Sequence, residues 1–144
     1  MKSLIKSKFP TKTEQIFNLT APYNNPYQGK GPFLLFVCSA GLLRSPTAAA
    51  MAVKLGYNAR SCGARNHALI PLSVNLIKWS SRIIFMDKEC YNKALQDFEQ
   101  NYCYHDLQLN STVWDIPDEY EYMQPELVNE INQRIGAGFY TAFN

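Results

Sequence analysis

The sequence predicts an α/β domain built on a parallel sheet with helices on both faces, and three observations point there. Phe33-Leu34-Leu35-Phe36-Val37 and Ile83-Ile84-Phe85-Met86 are short, unbroken apolar runs, the pattern of strands buried on both sides rather than on one. Each is followed by a segment whose apolar residues recur at helical spacing. Strand-like and helix-like patterns then alternate from residue 33 to the closing segment.

Taken in order, the first strand runs from Phe33 between Pro32 and the small residues Ser39-Ala40-Gly41, ending at Cys38. Ser45 is a candidate N-cap for the helix that follows, with Pro46 at its first position and Gly56 beyond its end. Ala48, Ala49, Ala50, Met51 and Leu55 between them favour helix. Tyr57–Cys62 reads as a short strand broken by Gly63. Leu72–Trp79 reads as a helix with Leu72, Leu76 and Trp79 on one face. Arg82–Met86 is the third strand, Lys88–Phe98 an amphipathic helix, and Cys103–Leu109, which alternates weakly, the fourth strand. Pro125 opens a last helix carrying Leu127, Ile131 and Ile135. Residues 1–30, rich in Lys, Thr, Asn and Pro and closed by Gly-Lys-Gly-Pro at 29–32, read as an N-terminal extension packed on or flanking a domain of residues 31–144.

Composition narrows the function. With 144 residues, 47% of them hydrophobic, the chain can bury a core without metal or disulfide support. The net charge of +2 is spread along the chain, so no basic stripe suggests nucleic acid. No segment approaches the roughly 20 apolar residues that span a bilayer, and the start, MKSLIKSKFP, has charge without an apolar stretch behind it. A cytoplasmic location without membrane attachment follows as the expectation, with Cys38, Cys62, Cys90 and Cys103 reduced. No CxxC pair occurs and His67 and His105 stand at no zinc spacing from the thiols, so neither a metal nor any other cofactor is expected.

The chemistry concentrates in Cys38-Ser39-Ala40-Gly41-Leu42-Leu43-Arg44-Ser45-Pro46. A loop leaving a strand and entering a helix aims successive backbone N–H groups into one concavity, where the helix adds its positive end. Ser39, Ala40 and Gly41 are small enough for a tight curl, and Gly41 tolerates positive φ. The same field favours the thiolate of Cys38. Arg44, six residues on, can return across the loop to grip two oxygens of a tetrahedral dianion, and the Ser45 hydroxyl can donate to the sulfur. These parts make a phosphoryl-accepting nucleophile. Of the four cysteines only Cys38 has an arginine six places on. A proton donor for the leaving oxygen is offered by Trp114-Asp115-Ile116-Pro117-Asp118-Glu119-Tyr120, where either Asp118 or Asp115 can serve.

FVCSAGLLRSPTAAAMA resembles the phosphate loop of the low-molecular-weight protein tyrosine phosphatases, and most of all a predicted-phosphatase branch with a DIPD-type acid loop. The likeness runs from about Phe33 to near Ile135. It implies a four-stranded parallel sheet in the order 2-1-3-4, flavodoxin-like, and hydrolysis of phosphomonoesters, phosphotyrosine above all, through a phosphocysteine. Cys38 and Arg44 fall on its catalytic positions, and Ser39, Ala40, Gly41, Leu42, Leu43 and Ser45 on its phosphate cradle. Matching Tyr120 to the tyrosine of the family's Asp-Pro-Tyr loop makes Asp118 the acid, with Glu119 replacing the proline and Asp115 the alternative. Tyr120 itself would wall the cleft against an aromatic ester. The chain departs from the family in having Ala40-Gly41 for Gly-Asn and Leu43 for a second loop cysteine, which removes a protective vicinal disulfide.

The expected partner is thus a phosphorylated protein or a small phosphoester. Two other readings compete: a module that binds phosphate or a phosphoprotein without turnover, and a thiol redox enzyme of the arsenate-reductase kind. The thirteen-residue gap between Cys90 and Cys103 argues against the second. Asn66, His67 and Leu69 are placed at the substrate mouth, and Cys62, Cys90 and Cys103 are read as structural.

Overall fold

A computed structural model describes residues 32–136. The expected extension, residues 1–30, and its boundary lie outside the described residues. The elements are β1 (Phe33–Cys38), α1 (Arg44–Lys54), β2 (Asn58–Gly63), α2 (Val74–Trp79), β3 (Arg82–Phe85), α3 (Lys88–Phe98), α4 (Tyr104–Asn110), β4 (Ser111–Val113) and α5 (Pro125–Gly136). The strands form one parallel sheet in the order β2-β1-β3-β4, as expected.

Alternation along the strands divides the apolar residues between two cores. Leu34 and Phe36 of β1, Ala59 of β2 and Ile84 of β3 face α1 and α5, meeting Ala48, Met51, Ala52, Leu127 and Ile131. Leu35, Val37, Cys62, Ile83 and Phe85 face the other way, onto Leu76, Ile77 and Trp79 of α2, Cys90 and Ala94 of α3 and Leu107 of α4. Residues 34–37 are all fully buried, so each contributes about 2 kcal/mol by leaving water. This two-sided burial is what the unbroken apolar run required.

Three local expectations are corrected. Cys103–Leu109 is not the fourth strand: α4 occupies most of it and β4 follows at Ser111. The buried residues there, Cys103 and Leu107, stand four apart while Leu109 is 69% exposed, which is a helical stripe rather than an alternation. The Asn101 side chain also accepts from the Cys103 N–H and closes the turn that leads into the helix. Ser45 is not an N-cap, because α1 begins one residue earlier and Leu43 stands at its cap without a side-chain bond. Ser73, rather than Leu72, opens α2, its hydroxyl accepting from the Leu76 N–H.

The connections place the site. From β1 the chain crosses through α1 to β2 on one side, whereas from β3 it continues to β4 on the other. The loops after β1 and β3 therefore flank the crevice where the direction of winding reverses, the usual ligand position in such sheets.

Candidate active site

Residues 38–44 curl back over the end of β2. Gly41 has φ +74°, the left-handed conformation the sequence anticipated, and a Cβ there would lie 2.8 Å from the Cys62 carbonyl carbon and the Gly63 nitrogen. Gly63 is packed from the opposite side, where a Cβ would lie 2.6 Å from the Ala40 carbonyl carbon and the Ala68 Cβ. Two further bonds fix the curl, Ala64 N–H to Cys38 O at 2.8 Å and Arg65 N–H to Ser39 O at 3.0 Å. The amides of Arg44 and Ser45 lie in the first turn of α1 and have no carbonyl to bond within it.

Cys38 is 3% exposed, but its Sγ faces into the loop: the Gly41 N–H points at it from 3.2 Å and the Ser45 hydroxyl lies 3.1 Å away. Ser45 also donates to the Cys62 carbonyl at 3.1 Å. One hydroxyl proton cannot serve both acceptors. While sulfur keeps its proton, S–H donates to Ser45 Oγ and Ser45 donates to Cys62 O; once sulfur ionises, rotation of the hydroxyl delivers its proton to the thiolate. Freed from capping, Ser45 is thus placed to donate to the Cys38 sulfur.

Arg44 is 1% exposed and held along one edge, its Nη1 donating to Asp87 Oδ2 at 2.8 Å and to the Ile116 carbonyl at 2.7 Å. Its buried Nε has no hydrogen-bond partner and stands 3.6 Å from Asp118 Oδ1. Burial alone would loosen its proton, but the Asp87 bond and the charges of Cys38 and Asp118 more than reverse this and tighten it. Burial works to raise the Asp87 carboxyl too, yet the bond from Arg44 and the N–H of Cys90 hold it below the usual carboxylate value. Asp87 is also the N-cap of α3, its Oδ1 accepting from Cys90 at 2.9 Å. Sequence reasoning missed it, although an aspartate between an apolar strand and a helix is a cap signal.

Asp118 stands at the loop mouth, 56% exposed, with Oδ2 3.5 Å from the Ser39 hydroxyl. Asp115 is exposed, has φ +52°, and makes no hydrogen bond or ion pair to the loop. Of the two candidate acids, the structure brings Asp118 to Arg44 and to Ser39, the residue after Cys38. Tyr120 is half-buried against the core shared by α1 and α5; partial burial first, then Glu119, Glu130 and Glu126, push its phenol up. Ala40, Leu42 and Leu43 are half-buried along the loop. Arg65, Asn66, His67 and Leu69 are exposed on the segment that leaves β2 over the loop. Cys62 and Cys90 lie in the opposite core, and burial pushes both thiols well up, which suits packing rather than reaction.

No protein-family model and no curated protein matches the chain by sequence. Among solved structures the fold is similar to the YwlE arginine phosphatase from Geobacillus stearothermophilus. The two chains are 18% identical with a TM-score of 0.58, over 77% of this chain and 94% of the other. A mutant YwlE from Bacillus subtilis is 16% identical with a TM-score of 0.50, over 74% of this chain and 98% of the other. The shared property is the fold, the one that the resemblance to the low-molecular-weight phosphatases implied.

Proposed function

We propose that the chain is a cytoplasmic, cofactor-independent phosphomonoester hydrolase that works through a phosphocysteine and prefers phosphotyrosine on proteins. One observation carries this reading: Arg44, wholly buried, is gripped along one edge by Asp87 and Ile116 while its Nε is left without a hydrogen-bond partner beside Asp118. A buried guanidinium so fixed is a preformed fork for an oxyanion.

The steps follow from the positions. The phosphate settles on the loop amides and the free edge of Arg44, directly over Cys38. The thiolate attacks phosphorus, the P–O bond to the leaving group breaks, and the carboxylic acid of Asp118 protonates the departing oxygen. The Asp118 carboxylate then takes a proton from water, which attacks phosphorus as the S–P bond breaks. Ser45 donates to the sulfur that leaves. Inorganic phosphate and the original thiolate remain. The preference for phosphotyrosine rests on the resemblance to the protein tyrosine phosphatases, with Tyr120, two residues beyond Asp118, as the ring on which an aromatic ester would stack.

A second specificity has its own support. Glu119 and Glu121 are exposed beside Asp118, an acidic rim suited to a cationic leaving group, and the Geobacillus stearothermophilus neighbour is named as an arginine phosphatase. Peptides carrying phosphotyrosine and phosphoarginine, assayed side by side, decide between the two.

The chemistry itself is checked by steady release of nitrophenol from its phosphate ester without metal or added thiol. Cys38→Ser abolishes turnover with the fold retained, and Asp118→Ala lowers kcat/KM by about 10²-fold, while Asp115→Ala leaves it near wild type. Phosphate binding without turnover would establish a binding module instead. Dependence on an external thiol would establish a redox enzyme, and a larger loss in Asp115→Ala would move the acid.

A further inference from the structure

The acid segment, residues 114–124, leaves β4 with the Trp114 N–H on the Phe85 carbonyl, and beyond that point it is tied to α1 at two feet. At the first, Ile116 donates to the Met86 carbonyl at 2.7 Å and accepts from Arg44. At the second, the Met123 N–H donates to Thr47 Oγ1 at 2.9 Å. Arg44 and Thr47 stand three apart on one helix face, and Asp118 hangs on the chain between the feet.

Thr47 is fully buried, and its hydroxyl is used in both directions. It donates to the Leu43 carbonyl at 2.7 Å and accepts from Met123. A bond back to the carbonyl four residues earlier is ordinary for a helical threonine. A second bond to a residue 76 positions away is not, and it meets Met123 at φ +60°, a conformation that side-chain-bearing residues adopt rarely. Leu43 is the last residue of the phosphate loop before Arg44, so a single hydroxyl connects that loop to the far foot of the acid segment. Glu121 and Gln124 close on each other around Met123 and α5 begins at Pro125, so slack cannot be taken up on that side.

Building on the phosphatase reading, we infer that Thr47 is a positioning residue for Asp118: its hydroxyl sets where the acid sits relative to the phosphate held by the loop, without touching substrate. Thr47→Val keeps the shape and removes both bonds, which lets the acid drift. Its effect therefore depends on how much the leaving oxygen needs a proton.

The test compares kcat/KM for phenyl phosphate, whose leaving group must be protonated, with dinitrophenyl phosphate, whose leaving group departs as an anion. In Thr47→Val the first falls about 10-fold and the second by less than about 2-fold. Thr47→Ser, which keeps the hydroxyl, restores the wild-type ratio. Amide exchange in residues 118–123 quickens in Thr47→Val while α3 is unchanged. Should Val at 47 prevent folding, Thr47→Ala, which leaves room for water to meet both orphaned groups, is expected to show the same split. Equal losses on the two esters, an unchanged ratio, or unchanged exchange overturn the inference while leaving the phosphatase intact. A wild type that turns over neither ester sinks the phosphatase reading and takes this role for Thr47 down with it.

Discussion

Asp87 shows how one carboxylate shapes the site from behind. Its Oδ1 caps α3 and its Oδ2 neutralises a buried guanidinium whose other carboxylate neighbour, Asp118, stands farther off and more exposed. Removing one partner of a largely buried pair costs more than the pair itself contributes. The Asp87 side chain is 26% exposed, so solvent screens part of that cost. Asp87→Ala is expected to destabilise the fold by about 2–3 kcal/mol, lost cap included, and to lower kcat/KM at least 10-fold because Arg44 loses its hold. The acid limb of stability carries the sign. Asp87 is held below its ordinary 3.8, so its stabilisation is complete above that value and is lost as pH falls through the depressed one. Urea unfolding from pH 6 downward should therefore show a steeper acid decline in wild type than in Asp87→Asn. Parallel declines would mean that the pair contributes nothing. This pair was not legible from sequence because its members lie 43 residues apart and meet only because β1 and β3 are neighbours in the sheet.

At the scale of elements, the phosphate loop is shaped as much by β2 as by itself. Gly41 and Gly63 are pressed face to face, and neither flank can yield because the atoms on both sides are largely backbone. Gly63→Ala drives a Cβ to 2.6 Å from the Ala40 carbonyl carbon, so it should cost about 1–3 kcal/mol by overpacking and widen the cradle. The expected signature is a raised KM for nitrophenyl phosphate together with a lowered Tm; a wild-type KM would mean the loop holds its shape without this contact. Elements with long apolar runs were legible, because β1 and β3 are covered on both sides. The short edge strand β4, with Val113 as its one aliphatic residue, carried too little pattern to be seen, and the helix before it absorbed the expectation. Ser45 was read as a cap for a physical reason as well. A serine before a helical proline is a start signal, and only the fold reveals that its hydroxyl is drawn instead to Cys38 and the Cys62 carbonyl.

On the scale of the whole molecule, the sheet order brings the loops after β1, β3 and β4 to one end, so an oxyanion held there, as proposed, would touch segments that are distant in sequence. The winding reverses between β1 and β3, where Cys38 and Asp87 flank the crevice. This much was legible from the alternation of patterns and the position of Cys38 at a strand end. Because these segments meet only in the native state, an oxyanion that binds there stabilises the entire fold through mass action, by about 2.7 kcal/mol at a hundred times its dissociation constant. For a domain of this size that corresponds to a rise in Tm of several degrees. The effect depends on the free edge of Arg44. A lysine at 44 can keep the ion pair with Asp87 but presents no second edge to the ligand. Titrating inorganic phosphate should raise the Tm of wild type and of Cys38→Ser alike, since holding the anion needs no nucleophile, and should leave Arg44→Lys almost unmoved. If Arg44→Lys responds as wild type does, the anion is held by the amides alone and the fork has no part in binding. If the Tm of neither wild type nor Cys38→Ser moves at millimolar phosphate, the cradle over Cys38 is not an oxyanion site.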